Sequence, residues 1–117
     1  MECFLSIVIP VYNEQESIPR LYEALGSSIK DCISKGLVSD YEIWFVNDGS
    51  TDNSEDVIKE IIMFDCRVKM IIFRKNFGKA MALQSGFYHC HGDIIITMDA
   101  DLQDDPKIIP KFIEKIN

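Results

Sequence analysis

Two aspartates one residue apart, Asp99 and Asp101, directly follow an apolar run and are the first candidates for chemistry. In extended backbone, residues i and i+2 point to the same side, so the two carboxylates would lie together and repel each other. A hard divalent cation, Mg²⁺ or Mn²⁺, bound by one or two carboxylates and by substrate phosphates, relieves that repulsion. We therefore predict a metal site here. The alternative is a polar loop whose acids cap the next helix.

A second cluster is the stretch from Asn47 to Ser50, which contains the dipeptide Asp48-Gly49. The Asp48 carboxylate could accept hydrogen bonds from the N–H of a base or from ribose hydroxyls. Gly49 would let a ligand approach the backbone closely. Asp-Gly is also a strong turn pair, so an ordinary turn is the alternative.

The most basic stretch of this acidic chain runs from Arg74 to Lys79 and ends where a helix is expected to begin. Cationic side chains and the free N–H groups of a helix start together form an anion site, which would suit a diphosphate. Solvated surface charge is the alternative. Tyr12, in the loop after the first predicted strand, could pack its ring on a flat base.

The elements that position these clusters alternate between strand and helix. Apolar runs predict strands at residues 5–11, 41–46, 68–73 and 93–98, and apolar residues at helical spacing predict a helix after each strand. Asn13, Asp52 and Asp105 are the predicted helix caps, and Gly36 is the predicted end of the first helix. The predicted core also includes a stripe on the last helix and several phenylalanines, namely Ile108, Ile109, Phe112, Ile113, Ile116, Phe45, Phe64, Phe73 and Phe87.

Strands that alternate with helices imply an α/β fold with a mostly parallel sheet and right-handed crossovers. We predict a Rossmann-like sheet in the order 3-2-1-4, in which strands 1 and 4 are neighbours and the topology reverses between them. Ligands bind beyond the carboxyl ends of the strands at such a switch point. The loops that contain Tyr12, Asp48 and Asp99 would therefore meet at one site.

Composition narrows the classes of function. The chain has 117 residues, enough for one domain, and a net charge of −7, which argues against nucleic-acid binding. Its four cysteines lie in or beside apolar stretches without a C-x-x-C pair, which favours buried free thiols in a reducing compartment. No apolar run approaches the ~20 residues of a membrane span. We expect a cytoplasmic protein with no nucleic-acid partner.

Four segments together resemble the amino-terminal part of family 2 inverting glycosyltransferases, which have the GT-A fold. They are residues 6–14 (SIVIPVYNE), 46–52 (VNDGSTD), 74–79 (RKNFGK) and 98–106 (MDADLQDDP), and they occur in the family's order. The motifs NFGK and DADLQ narrow the resemblance to the polyprenyl-phosphate and dolichyl-phosphate glycosyltransferases of the cell envelope. That branch transfers a sugar from a nucleotide-diphosphate donor to a lipid phosphate at a membrane.

The resemblance implies a role for each matching residue. Asp99 and Asp101 would form a DXD motif that holds Mg²⁺ or Mn²⁺ with the diphosphate of a UDP- or GDP-linked sugar. The residues that would bind the nucleotide sugar are Pro10, Tyr12, Glu14, Val46, Asp48, Lys79, Asp99, Ala100 and Gln103. One departure is Asn47, where the family often has a second aspartate, although Asp48 retains a charge at this position of the site.

The chain is also shorter than members of that family. We expect residues 1–117 to be the donor-binding, amino-terminal part of a truncated catalytic domain. The acceptor-side base and the membrane-associated helices would lie further on, so no catalytic base is assigned. The full-length protein would work at the cytoplasmic face of a membrane, and surfaces exposed by truncation would favour homo-oligomers.

Two alternatives for the function stay open. The chain could bind a donor without turnover on its own. It could also belong to the sugar-nucleotidyltransferases, which would be expected to have a Gly- and Arg-rich phosphate loop after the first strand. The loop in this sequence, Tyr12-Asn13-Glu14-Gln15, contains neither residue type.

Overall fold

The protein is built on a four-stranded parallel sheet. In the computed structural model, which describes residues 2–101 and 105–116, the strands are β1 (Phe4–Val11), β2 (Asp40–Asn47), β3 (Val68–Ile72) and β4 (Ile94–Thr97). Their order is β3-β2-β1-β4, and every neighbouring pair is parallel. Val8 in β1 aligns with Trp44 in β2 and with Thr97 in β4. The predicted Rossmann-like order, with its reversal between β1 and β4, is confirmed.

Helices cover both faces of the sheet. They are α1 (Ile18–Ser34), α2 (Ser54–Phe64), α3 (Lys79–His89) and α4 (Ile109–Ile116), and a 3₁₀ turn at Pro106–Ile108 leads into α4. Helices α1, α2 and α4 pack around Ile7, Ile9 and Phe45, where the main core lies. Helix α3 packs on the other face, over Val8 and Val46. Because β1 is covered on both faces, its sequence is apolar without alternation, as predicted.

Gly86 lets α3 lie close to β1. A Cβ atom on Gly86 would fall 2.3 Å from Val8 Cγ1 and 3.4 Å from Val46 Cγ2. Gly86 and Ala82 are the buried residues of α3. Small side chains therefore set the distance between α3 and the sheet.

The helix boundaries confirm some predicted caps and correct others. Gly36 ends α1 with a φ of +73°, and the Leu37 N–H donates to the Cys32 carbonyl at 2.9 Å, as in a Schellman motif. The prediction that Asn13 caps α1 is wrong, because α1 begins after Ser17. Helix α2 begins one residue later than predicted, and the Asp52 carboxylate accepts a hydrogen bond from the Ser54 N–H at 2.9 Å.

Other predictions concern the last helix and the thiols. Asp105 caps the turn before α4, where its carboxylate accepts from the Lys107 N–H at 3.0 Å, as predicted. Ile109 and Ile113 are buried, but the predicted stripe is too wide, since an eight-residue helix packed on α1 covers few side chains. The members of the stripe that are about half exposed are Ile108, Phe112 and Ile116. All four cysteines are free thiols, as predicted, but the prediction that they are buried holds only for Cys32, and Cys66 is exposed.

The phenylalanines predicted to be core residues differ in burial, and Phe73 is half-buried beside Val8 and Val46. Phe45 is fully buried in the main core. Phe64 is 72% exposed and Phe87 is 47% exposed, so for these two the prediction is wrong. Phe64 is the last residue of α2, whereas Phe87 directly follows Gly86, which faces β1, and so lies on a different side of α3. Apolar spacing alone does not show where a helix ends its contact with the sheet.

Candidate functional site

The loops after β1, β2 and β4 meet at an open depression of about 470 Å³, beyond the carboxyl ends of the strands. The predicted site residues that line it are Pro10, Tyr12, Glu14, Asp48, Lys79, Asp99, Ala100 and Asp101. Val11, Asn76 and Gly78 complete its lining. The structure therefore brings together residues from loops up to 91 positions apart in the chain. This depression lies at the switch point that the strand order predicts.

Two predicted residues lie elsewhere or cannot be placed. Val46 is fully buried under α3 with Val8 and Ala82, and it does not line the depression. Gln103 lies outside the described residues. Asp101 is exposed at the rim, whereas Ala100 beside it is 3% exposed and packs into the main core. The alternation after β4 thus turns both aspartates of the motif towards the depression.

Asn13 joins the loop after β1 to the loop after β2. Its φ is +53°, a left-handed conformation that asparagine tolerates better than most residues. In this conformation its Oδ1 accepts from the Thr51 N–H at 2.8 Å and from the Asp52 N–H at 3.2 Å. The Asn13 N–H donates to Ser50 Oγ at 3.0 Å. These bonds hold Tyr12 at the mouth of the depression, with 46% of its surface exposed.

Asp48 joins β2 to the basic segment before α3. Only 4% of Asp48 is exposed, and its carboxylate accepts from the Phe77 N–H at 2.7 Å and from the Gly78 N–H at 3.0 Å. Asn76 Nδ2 donates to the same carboxylate at 3.2 Å. A buried carboxylate with several amide donors is a strong positioning contact. Asp48 thus orders the end of the basic segment from Arg74 to Lys79, which is predicted to form a diphosphate site.

Gly49 allows this segment to approach β2. It has a φ of +72°, and a Cβ atom there would lie 2.3 Å from the Lys75 carbonyl carbon and 2.5 Å from the Asn76 nitrogen. Both the backbone angle and the space exclude a larger residue without rearrangement. Gly49 permits a close approach to its backbone, as predicted, but in the structure the group that approaches is the protein's own backbone. No local pattern near Asp48 or Gly49 points to a partner almost 30 residues later.

Lys79 and the motif aspartates form the charged wall of the depression. Lys79, the first residue of α3, places its Nζ 2.5 Å from Asp99 Oδ1, with side chains 60% and 32% exposed. Across residues 2–101 and 105–116, no three His, Cys, Asp or Glu side chains gather closely enough to hold a metal by themselves. Two carboxylates are a partial donor set, which fits an ion that takes its other ligands from phosphates and water. Asp99 and Asp101 therefore fit Mg²⁺ or Mn²⁺ bound together with a diphosphate.

Glu42 is a buried carboxylate outside this depression. It lies early in β2, with 2% of its surface exposed, and it accepts from Ser6 Oγ at 2.7 Å and from the His91 N–H at 2.6 Å. Burial alone would raise the pKa of Glu42, but these hydrogen bonds outweigh it and leave the pKa below its usual range. Glu42 sits five strand positions before Asn47, so its contacts hold the strands and the end of α3 together rather than act at the site.

The sequence matches a family model along almost its whole length. The model described as glycosyl transferase family 2 matches residues 6–117. Among curated relatives, the undecaprenyl-phosphate 4-deoxy-4-formamido-L-arabinose transferase of Pseudomonas fluorescens (strain SBW25) is 43% identical over 112 residues, covering 95% of this chain and 31% of the relative. The protein of the same name from Proteus mirabilis (strain HI4320) is 44% identical over 110 residues, covering 93% of this chain and 32% of the relative. The chain thus spans about a third of the length of these relatives.

Solved structures share the fold. The mannosyltransferase PcManGT from Pyrobaculum calidifontis, in complex with GDP-Man and Mn²⁺, matches with a TM-score of 0.70 and 20% identity, covering 86% of this chain and 28% of that one. S. aureus TarS 1-349 in complex with UDP-GlcNAc matches with a TM-score of 0.69 and 20% identity, covering 86% of this chain and 27% of that one. These neighbours support the predicted GT-A fold for the part of it that this chain contains.

Proposed function

The chain belongs to glycosyl transferase family 2, and on this premise we propose that it binds the donor in an enzyme that transfers a sugar, with inversion, from a nucleotide-diphosphate sugar to a polyprenyl phosphate. The observation that carries this proposal is the depression in which Tyr12, the motif aspartates and the start of α3 meet. Relatives over 40% identical are named as transferases acting on undecaprenyl phosphate, which supports a lipid-phosphate acceptor. Residues 1–117 would form the donor-binding part of that enzyme.

The nucleoside would lie against the loop after β1. Tyr12 presents an exposed ring, and Pro10 and Glu14 line the same wall. An aromatic ring can stack on a base, and a carboxylate can accept from ribose hydroxyls. Asp48 would act there mainly through the segment that it orders, because three of its acceptor positions are already occupied by Asn76, Phe77 and Gly78.

The diphosphate would lie between the start of α3 and the motif aspartates. Asp99 and Asp101 would hold Mg²⁺ or Mn²⁺, and that ion would offset the charge that builds on the departing nucleotide diphosphate. Lys79 lies beside Asp99 and would place a second positive charge next to the same phosphates. The acceptor, already an anion if it is a lipid phosphate, would attack the anomeric carbon from the opposite face. We assign no catalytic base to the described residues.

A binding experiment tests the donor site. Isothermal titration of the 117-residue chain with UDP, GDP and their sugars, in the presence and absence of Mn²⁺, should show metal-dependent binding of one nucleotide series. The double substitution Asp99→Asn and Asp101→Asn should remove the metal dependence. Asp56→Asn with Glu60→Gln makes the same change in charge on the exposed side of α2 and should leave binding unchanged. A folded chain that binds no nucleotide with Mn²⁺ would refute the donor site.

A donor-hydrolysis and transfer assay, together with a titration of nucleoside triphosphates, separates the alternatives. Donor binding without hydrolysis or transfer would indicate a binding fragment that needs the remainder of a longer protein for turnover. Binding of a nucleoside triphosphate in preference to the diphosphates would favour a sugar-nucleotidyltransferase. The family match and the loop after β1, whose Asn13 bonds the neighbouring loop instead of a phosphate, favour the glycosyltransferase.

The acceptor determines where the protein would work. A polyprenyl phosphate is a membrane lipid, so we place the enzyme at the cytoplasmic face of a membrane, where its nucleotide-sugar donor would be available. In the part of the chain that the structure describes, no helix is both long enough and apolar enough to span a bilayer. Cell fractionation of the natural gene product, with detection of the protein in the membrane or soluble fraction, would test this placement.

A further inference from the structure

Basic and acidic residues are segregated along this chain. Residues 66–92 contain five of the 12 lysines and arginines and none of the 19 aspartates and glutamates. The other 90 residues carry all 19 acidic side chains and seven basic ones. This segment forms β3, at one edge of the sheet, and α3, on one face of it, so the molecule contributes no acidic side chain from either element.

Exposed apolar side chains lie on the outward side of α3 and just before its start. Met81 and Tyr88 are 50% and 85% exposed, and their spacing of seven residues places them along one side of α3, while Phe77, two residues before the helix begins, is 52% exposed. Met81 and Tyr88 line a shallow depression of about 310 Å³ together with Phe73, whose ring packs edge-on against Phe77 at 5.6 Å. Since Ala82 and Gly86 already occupy the sheet side, α3 carries a second apolar side with no covering element among the described residues.

Two cations lie at the end of this apolar side nearest the candidate site. Lys75 places its Nζ 5.2 Å from the centre of the Phe77 ring, and Arg74 beside it is exposed. Neither side chain forms an ion pair with a carboxylate in residues 2–101 or 105–116. Their charge is therefore available to an anionic partner, whereas the cations at 67, 69 and 79 lie near Asp40, Glu42 and Asp99.

We propose that the α3 surface, defined as Phe73, Phe77, Met81 and Tyr88 with Arg74 and Lys75, docks on an anionic lipid bilayer. Aromatic and methionine side chains can enter the headgroup region, and basic residues beside them are attracted to anionic lipids. The acidic remainder of the chain is repelled by the same lipids, so this side faces the bilayer. The biological role of this docking rests on the proposed function. Asn76, Gly78 and Lys79 line the donor depression, so docking would place that depression at the membrane that holds a lipid-phosphate acceptor.

A second pair of exposed apolar residues shows why charge selects the α3 surface as the one that docks on an anionic bilayer. Met63 and Phe64, at the end of α2, are 86% and 72% exposed, more than Met81 and Phe77. They lie between Glu60 and Asp65 in the sequence, in the acidic part of the chain. An anionic bilayer would repel this end of α2, so Met63 provides a matched control for Met81.

Cosedimentation with vesicles tests the charged part of the proposal. The chain should bind vesicles of phosphatidylcholine mixed with phosphatidylglycerol, and binding to pure phosphatidylcholine should be much weaker. Arg74→Gln with Lys75→Gln should weaken the partition roughly 30-fold, since each basic side chain near an anionic surface contributes about a five-fold factor at low salt. Lys30→Gln with Lys111→Gln removes the same charge from α1 and α4 and should change the partition less than about two-fold. Absence of binding to the anionic vesicles would overturn the proposal.

Substitution of the apolar side chains tests the docking geometry. Met81→Ser and Tyr88→Ser should each weaken vesicle binding by roughly five-fold, because about half of a large apolar side chain is transferred, and Met63→Ser should not. Equal losses for Met63→Ser and Met81→Ser would refute the α3 surface. The proposal would also be refuted if the chain did not bind vesicles but self-associated, and if Met81→Ser and Tyr88→Ser dissociated the oligomer. The α3 surface would then be a protein interface.

Nucleotide titration of the same variants distinguishes this inference from the proposed function. Vesicle binding uses neither donor nor polyprenyl phosphate, so it can fail while metal-dependent nucleotide binding is intact, which overturns the docking surface alone. Met81→Ser should show this weaker vesicle binding and keep nucleotide binding at the wild-type level. Vesicle binding in a chain that binds no nucleotide would support the surface and refute the donor site.

Discussion

Asp48→Asn should show whether this residue acts through the protein or directly on the ligand. The Phe77 N–H and the Gly78 N–H donate to different oxygens of the Asp48 carboxylate. Asparagine has one oxygen and one amino group, so one of the two N–H groups would face a donor. Asp48 is 4% exposed, and water has little access to compensate the lost bond.

The size of the effect follows from these contacts. Loss of one hydrogen bond from an amide to a charged, buried acceptor costs about 2 kcal/mol. For a chain of 117 residues, about 1 kcal/mol corresponds to about 4 °C in Tm, so Tm should fall by about 8 °C. Asn76→Ala is the matched control, because it removes only the side-chain donor at 3.2 Å and keeps both backbone bonds. Its cost should be about 1 kcal/mol or less.

Thermal unfolding and nucleotide titration with Mn²⁺ should be measured on the same samples. Asp48→Asn loosens the segment that carries Gly78 and Lys79, and we expect it to lower nucleotide affinity by roughly ten-fold, equivalent to about 1.4 kcal/mol. Asp99→Asn should lower affinity without a comparable fall in Tm. If Asp48→Asn lowers affinity while Tm stays at the wild-type value, Asp48 contacts the ligand directly and its role in ordering the segment is refuted.

Three further predictions concern the rest of the molecule. Gly86→Ala should destabilise the fold by about 1–3 kcal/mol, since its Cβ would fall 2.3 Å from Val8 Cγ1. Adding Val8→Ala to the same chain should recover part of the lost stability, measured by urea unfolding. If no stability were recovered, the contact between Gly86 and Val8 would not be the cause. Glu42 has a lowered pKa in the folded state, so its ionised form stabilises the fold above the ordinary glutamate range and this contribution is lost as pH falls through the lowered pKa. The stability deficit of Glu42→Gln at neutral pH should therefore narrow below about pH 4, and a constant deficit would exclude the ionised form as the cause. Self-association should occur through the edge strand β4 and the exposed Ile95 and Phe112 beside it. Sedimentation velocity at increasing concentration should detect it, and Phe112→Ser should reduce it. A monomer at all concentrations would contradict this prediction.

The strands and their order could be predicted because they depend on coarse features of the sequence. Buried parallel strands read as unbroken apolar runs, and alternation with helices leaves few topologies. The helix starts were harder, because Asn13 has the residue type of a cap but bonds to the loop after β2, and Asp52 bonds both the start of α2 and the loop after β1. A local pattern cannot distinguish an asparagine that caps its own helix from one that holds a neighbouring loop.

The site was predictable to the extent that it lies at strand ends. Tyr12, Asp99 and Asp101 follow strands directly, and the strand order brings them together. The role of Asp48 could not be predicted, since its donors lie 28 to 30 residues later and are mostly backbone groups. The exposure of Met81 and Tyr88 also depends on which side of α3 meets the sheet, and the sequence pattern of that helix does not show it.

The Asn13 contacts couple the lengths of two loops. Surface loops usually tolerate insertions and deletions well. Here the Asn13 side chain bonds the Thr51 and Asp52 amides, and the Glu14 N–H bonds Ser54 Oγ at 2.9 Å, so the two loops are in register with each other. An added residue in either loop would shift Tyr12 relative to β2 or pull α2 out of place. Length variation at this end of the molecule should therefore be accepted only as paired changes, one in each loop.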